Sequence, residues 1–284
     1  MIKLGTSDIS KVYFGADEIT KAYLGSTEVY SSASFFLDTY SGALAAWSLQ
    51  SIKATTTNVI KARRSSDDAE LDFTAAEITD GTLTTWTGSG DGFVTTIYDQ
   101  IGSNNYTQTT SGRQGQIVSS GSVITLGGKP CIVRSSDNNG GYISTYAPND
   151  GATVKGVFFV GDNNSKDSTI SGSVSGGNDY GGIVQSGSSG GTIDTFNAAI
   201  TKSELNGLTT TYINRGEAYT ATDLHFLLYR EIEFSFSNNA LGLGYRSSNP
   251  SNLGMFTFQE QVIFGNTSDA TAKQNNINGR YTIY

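Results

Sequence analysis

His225 is the only histidine in the chain, so any histidine-dependent nucleophile would have to use it. It lies in the apolar run LHFLLY, where a hydrogen-bonded structural imidazole is the plainer reading. Cys131 is the only cysteine, which excludes an intrachain disulfide. In KPCIV it reads as a small buried residue rather than a nucleophile. One histidine and one cysteine supply no transition-metal cluster. Asp162, Asp167 and Asp179, with asparagines between them, offer oxygen ligands of the kind calcium takes. The same stretch reads more simply as a solvated polar loop, so no metal and no cofactor is expected. RRSSDD at 63–68 sets two guanidinium groups beside two carboxylates. That pattern either fixes a loop through ion pairs or belongs to a sugar site, and the loop reading is preferred. Trp86, Tyr142, Tyr146 and Tyr180 lie in or near stretches rich in Asn, Asp and Gly. Aromatic faces beside amides and carboxylates can bind glycan, and these four are candidates for that role.

The elements that must position these groups are short and mostly extended. VIKARRSS (59–66), GFVTTIYDQ (92–100) and VKGVFFVGD (154–162) read as strands, and IVSSGSVITLGGKPCIVRS (117–135) as a hairpin around Gly-Gly. TIDTFNAAI, TTTYINRGEAY, HFLLYREIEFSF, ALGLGYR and FTFQEQVIFG are also strand-like. SGALAAWSLQSI (41–52) has small and apolar residues at helical spacing, which predicts a short helix. DDAELDFTAAEI (67–78) reads as loop or weak helix, and 163–191 as a long polar surface loop. SDATAKQNNINGRYTI (268–283) is the most helix-like stretch. The Gly-rich run 172–191 lacks the lysine and the strand–loop–helix context of a phosphate loop.

With 34 Gly, 3 Pro, 15 Tyr and 14 Phe among 284 residues, the chain has turns and enough aromatic bulk for a real core. Many strands at short spacing, closed by one helix, predict an all-β jelly-roll sandwich. The net charge of −8 argues against a nucleic-acid groove or adsorption to an anionic membrane. No apolar run is long enough to span a bilayer, and the N-terminus has no apolar signal segment, so synthesis in a cytoplasm is expected.

The first thirty residues break at glycine into LG-TSDISKVY, FG-ADEITKAY and LG-STEVY. Gly5, Gly15 and Gly25 are ten apart, as are Ile9, Ile19 and Val29, with Tyr13, Tyr23, Phe14 and Leu24 in the same frame. Each unit reads as a glycine turn followed by a short strand. So short a segment cannot build its own core, so its apolar positions need another surface. Residues 1–31 are therefore expected to attach or oligomerise, SSAS (31–34) to link, and 32–284 to form the sandwich.

Three segments carry a family resemblance. YSGALAAWSLQ (40–50), RRSSDD (63–68) and TTIYDQIGSNNYTQ (95–108) resemble, in order, segments of the arabinofuranosidase B catalytic domain. That domain is the glycoside hydrolase family 54 sandwich, related to the concanavalin A-like jelly rolls. QEQVIFGNTSDATAKQNNINGRY resembles the family's last strand and closing helix. YDQ-x-G is the most specific piece and looks structural rather than catalytic. A retaining glycosidase needs a nucleophile and an acid/base. TIDTFN (192–197) best matches the family's nucleophile segment: Asp194 and Asn197 fit, and Phe196 stands where the glutamate would be. LGLGYRSS (241–248) matches the acid segment, with Arg246 in place of the aspartate. The family's adjacent cysteine pair has no counterpart beside Cys131. These departures predict no hydrolysis by the inherited mechanism, while Asp194 and Asn197 stay candidates for glycan contact.

The decamer resembles the N-terminal repeats of bacteriophage virion proteins such as tail-fibre, baseplate and head-fibre proteins. The resemblance implies a virion structural protein: 1–31 bound to other virion proteins, a homotrimer, and a sandwich projecting toward host-surface glycan. A glycan hydrolase on the particle is the alternative.

Overall fold

The computed structural model describes residues 35–134, 141–144, 153–162, 201–209, 225–232, 241–244 and 256–284 in full. It also gives the backbone of strands elsewhere, including those of the decamer segment. In that segment β1 (Lys3–Leu4) pairs with β2 (Ser7–Asp8), β3 (Val12–Phe14) with β4 (Asp17–Ile19), and β5 (Lys21–Leu24) with β6 (Thr27–Ser31). The strand ends pair Leu4 with Ser7, Phe14 with Asp17 and Leu24 with Thr27. Between them stand Gly5-Thr6, Gly15-Ala16 and Gly25-Ser26, and Gly-X is a composition two-residue hairpins favour. Each unit is thus a hairpin in register with its glycine. Among the described residues, none of these strands pairs with the sandwich.

The sandwich opens with the single-turn α1 (Phe36–Thr39) and then β7 (Ala43–Ser48). A helix is predicted over 41–52, and a strand is found. Ala45 and Trp47 enter the core between the sheets, while Ala46 lies in a second apolar cluster with the C-terminal helix. A strand buried on both faces loses its alternating pattern, so its small apolar run imitates a helix. β8 (Ile60–Arg64) and β9 (Glu70–Phe73) follow. Residues 67–78, read as loop or weak helix, hold β9 and α2 (Ala75–Thr79). Thr74 and Glu77 close a reciprocal capping box there, with Thr74 N donating to Glu77 and Glu77 N to Thr74. α3 (Thr82–Thr87) then leads to β10 (Gly92–Ile97) and β11 (Tyr106–Thr107).

Residues 115–134 form two hairpins rather than one: β12 (Gly115–Ser119) with β13 (Ser122–Val123), then β14 (Thr125–Leu126) with β15 (Lys129–Pro130), leading into β16 (Ile132–Arg134). Both turns use two residues with positive φ, Ser120-Gly121 and Gly127-Gly128, whose twist suits a tight hairpin. β17 (Tyr142–Ser144) and the long β18 (Val154–Asp162) come next. The stretch 163–191, read as a surface loop, contributes β19 (Thr169–Ser173) and β20 (Gly182–Gln185), held by backbone pairing rather than side-chain pattern. β21 (Ala199–Leu205), β22 (Leu208–Thr209), β23 (Phe226–Phe234), β24 (Leu241–Leu243), β25 (Phe256–Phe264) and α4 (Ala270–Tyr281) complete the described elements. After Thr209, the rest of TTTYINRGEAY lies outside the described residues.

The named strand pairings are all antiparallel. One sheet runs β22-β21-β23-β18-β25-β7. The other joins β9-β8-β10 to β12-β16 and to β11-β17-β24-β19-β20. β25 spans both, pairing with β16 at its start and β7 at its end. A bulge at Gln259 separates the two halves, since Gly161 opposes Phe258 while Val160 opposes Glu260. The extra residue flips the parity: Phe256 and Phe258, then Ile263, face the inter-sheet core, while Val262 and Phe264 face α4. The described residues form an all-β sandwich, with α1 and α4 sharing an apolar cluster on its outer face. Among the described residues no helix is long and apolar enough to cross a membrane.

Candidate functional site

The Tyr98-Asp99-Gln100 segment stitches the two sheets together. β10 belongs to one sheet, and the residues after it cap the open edge of β7 in the other. Asp99 Oδ1 accepts the Ala46 and Ile101 amides at 3.0 Å each, and Oδ2 accepts the Asn104 amide at 3.2 Å. Gln100 N donates to the Ala46 carbonyl at 2.7 Å. The Gln100 side-chain amide donates to the Ser48 and Gln50 carbonyls, and its oxygen accepts the Ile52 amide and the Thr56 hydroxyl. Asn105 Oδ1 holds the Asp99 amide. A carboxylate so occupied by N–H donors anchors backbone. The structural reading of YDQ-x-G therefore stands.

Tyr98 donates to Asp72 Oδ1 at 2.7 Å. Burial, with the Asp72 carboxylate beside it, raises the phenol well above its ordinary range. Around these groups lies a cleft of about 520 Å³, walled by Lys53 and Thr55–Asn58 on one side and by Ile101, Ser103 and Asn105 on the other. Sequence reasoning missed its wall residues, which are common polar types from separate loops with no spacing rule.

RRSSDD forms ion pairs across its own turn. Arg64 meets Asp67 through two contacts of 2.7 Å, and Arg63 reaches Asp68 at 2.5 Å. The Arg64 hydrogen bonds, helped by the Ala69 amide, lower Asp67 to about 2. The guanidinium groups also cover aromatic rings, Arg63 over Phe93 at 5.0 Å and Arg64 over Trp86 at 5.1 Å. Both arginines are engaged in fixing this corner.

Of the proposed glycan residues, Tyr142 and Trp86 fall among the described residues. Tyr142 is no loop residue: it is fully buried in β17, accepts the Gly115 amide at 2.8 Å and donates to the Val94 carbonyl at 2.7 Å. Its ring faces Phe256 and is closed to a ligand in this structure. Trp86 sits on α3, edge-on to Phe73 at 5.2 Å and beneath Arg64, half-buried against the core. Tyr146, Tyr180, Asp194 and Asn197 lie outside the described residues, as do Phe196, Arg246, Asp167 and Asp179.

His225 and Cys131 are held within the sandwich. Gln259 Nε2 donates to the Leu126, Lys129 and Pro130 carbonyls, so its oxygen faces His225 Nε2 at 2.8 Å. The imidazole is then the Nε2-protonated tautomer. Burial lowers its pKa, with the Gln259 bond opposing. Burial, with Asp162 nearby, pushes the Cys131 thiol up to about 12. The described residues contain no group of three or more His, Cys, Asp or Glu able to hold a metal ion.

No protein-family model matches the chain, and no curated protein matches it. Among solved structures, it is similar to an arabinofuranosidase complexed with arabinofuranosyl-α-1,2-xylobiose, with TM-score 0.56 and 16% identity. A Glu-to-Gln mutant of a glycoside hydrolase family 54 α-L-arabinofuranosidase, soaked with 4-nitrophenyl α-L-arabinofuranoside, gives 0.55 at 18% identity. Another family 54 α-L-arabinofuranosidase structure, soaked with a cyclic sulfate inhibitor, gives 0.54 at 18%. Each match covers 83% of this chain but 62% of the enzyme's. The family 54 resemblance thus holds at the level of the fold.

Proposed function

We propose that this is a structural protein of a phage particle, of the fibre or decoration type. Residues 1–31 anchor it to other virion proteins and hold it as a homotrimer, and the sandwich projects outward and binds host-surface glycan. The observation that carries this reading is the decamer segment. Its strands form three internally paired hairpins, each too small to bury its apolar positions unaided. Light scattering on the full chain and on a variant lacking 1–31 tests it. The reading requires a trimer or assembly with a virion protein that the shortened variant loses. Assembly that persists without 1–31 contradicts it.

The named activity of the structural neighbours favours a second reading, a glycan hydrolase on the particle. Against it stand Phe196 and Arg246 at the positions that match the family's carboxylates: a phenyl ring cannot attack an anomeric carbon, and a guanidinium does not donate a proton at ordinary pH. Release of nitrophenol from an aryl arabinofuranoside, lost on mutating one Asp or Glu, would establish the enzyme.

A further inference from the structure

We propose that the cleft between residues 53–58 and the Tyr98–Asn105 loop binds a short neutral saccharide. This rests on the glycan-binding part of the proposed function and on none of its particle assignment. The volume, about 520 Å³, falls within the roughly 300–1,000 Å³ of small-molecule sites.

The frame is fixed before any ligand arrives. Asp99 and Gln100 spend their side-chain hydrogen bonds on backbone amides, carbonyls and Thr56. Gln100 ties together both walls, holding Ile52 and Thr56 on one side from its place in the other. A preorganised frame spares the ordering cost of binding.

The lining keeps its remaining groups free. Asn105 uses its side-chain oxygen on the Asp99 amide, which leaves its NH2. Among the described residues, the Lys53 ammonium, the Thr55, Thr57 and Ser103 hydroxyls and the Asn58 amide also have no protein partner. Together they supply donors and acceptors of the kind that vicinal hydroxyls pair with. Tyr98 and Ile101 add apolar surface for the C–H face of a sugar ring.

Charge and topology exclude the competing ligands. One ammonium stands among two carboxylates, Asp72 and Asp99, so the cleft has no positive excess to select an anion. Asp99 is held by N–H donors, and Asp72 accepts the Tyr98 hydroxyl and faces the Lys61 ammonium at 3.9 Å, so the cleft has no uncompensated negative charge to select a cation. A peptide strand would need an open sheet edge, and the Asp99–Gln100 segment already caps β7.

Saturation-transfer NMR and calorimetry on the full-length protein test this. The probes are neutral di- to tetrasaccharides of xylose, arabinose, glucose and galactose, with sialyllactose as the anionic counterpart. At least one neutral saccharide should bind. The double substitution Thr57→Ala, Asn58→Ala should weaken it about tenfold, as expected for losing one or two hydrogen bonds. Ser103→Trp, at an exposed wall position, should block it with the thermal midpoint unchanged. Three results overturn the proposal. No neutral saccharide binds; or sialyllactose alone binds; or a neutral saccharide binds equally to wild type and both variants. In the last case glycan binding by the molecule stands and this cleft is not its place.

Discussion

Asp99 does the work of several residues with one side chain. Replacing it by alanine leaves the amides of Ala46, Ile101 and Asn104 without their acceptor. Unmet donors of this kind cost about 1–3 kcal/mol each when buried, so a total loss of about 3 kcal/mol or more is expected from urea denaturation. Its conservative replacement Asp99→Asn should lose less, because one oxygen remains. His225 makes a pH-dependent prediction. Its pKa is lowered in the folded state, so the unfolded chain takes up the proton first as pH falls. The associated stability is complete above the ordinary histidine value near 6.5 and is lost as pH falls through the lower folded value. Urea midpoints between pH 7.5 and 5 should fall in wild type and be flatter in His225→Gln; identical slopes would refute the assignment. Both roles were partly legible in sequence. A single histidine in an apolar run and a single cysteine read as packed residues, and the structure bonds the first to Gln259 and buries the second. Tyr142 was not legible: the residues before it are Asn and Gly, but β17 buries it between sheets, where its hydroxyl finds Gly115 and Val94.

At the scale of elements, α4 is pinned to β25 by a buried ion pair. Arg280 meets Glu260 through two contacts of 2.6 Å, and Ser48 and Tyr281 donate to the same carboxylate at 2.7 and 3.2 Å. Burial pulls the Arg280 pKa down, but the Glu260 charge and hydrogen bonds outweigh it and the net shift is upward. Arg280→Met strands a carboxylate that is only 1% exposed and should destabilise by about 3–5 kcal/mol. Adding Glu260→Met should restore most of the loss in a double-mutant cycle, since two apolar groups tolerate the same site. Thr74→Ala, which opens the capping box of α2, should cost about 1 kcal/mol. Strands that alternate or carry β-branched residues, such as β8, β10 and β18, were readable. β7 was not, because both its faces are buried. β19 and β20 were not, because TISGS and GIVQ are too short to stand out from the Ser- and Gly-rich sequence around them. The bulge at Gln259 has no sequence signature beyond three consecutive polar residues in an apolar strand, Gln259, Glu260 and Gln261. Each finds a different set of partners.

For the whole molecule, turn spacing and aromatic content were enough to predict the sandwich, and the closing helix followed from its own run. The cleft was invisible because its walls come from Lys53–Asn58 and Ile101–Asn105, loops that only the folded sheets bring together. The decamer hairpins stand apart from the sandwich pairings, so deleting 1–31 should leave the sandwich's thermal midpoint unchanged while removing assembly. On the function proposed above, the chain is a particle component with its hairpins inward and its sandwich outward. Immunogold electron microscopy of purified, intact particles tests it most directly, with one antibody against the sandwich and one against residues 1–31. The account predicts regular labelling of the particle surface by the sandwich antibody, and labelling by the other only after the particle is disrupted. Intact and disrupted particles that carry neither epitope would contradict it.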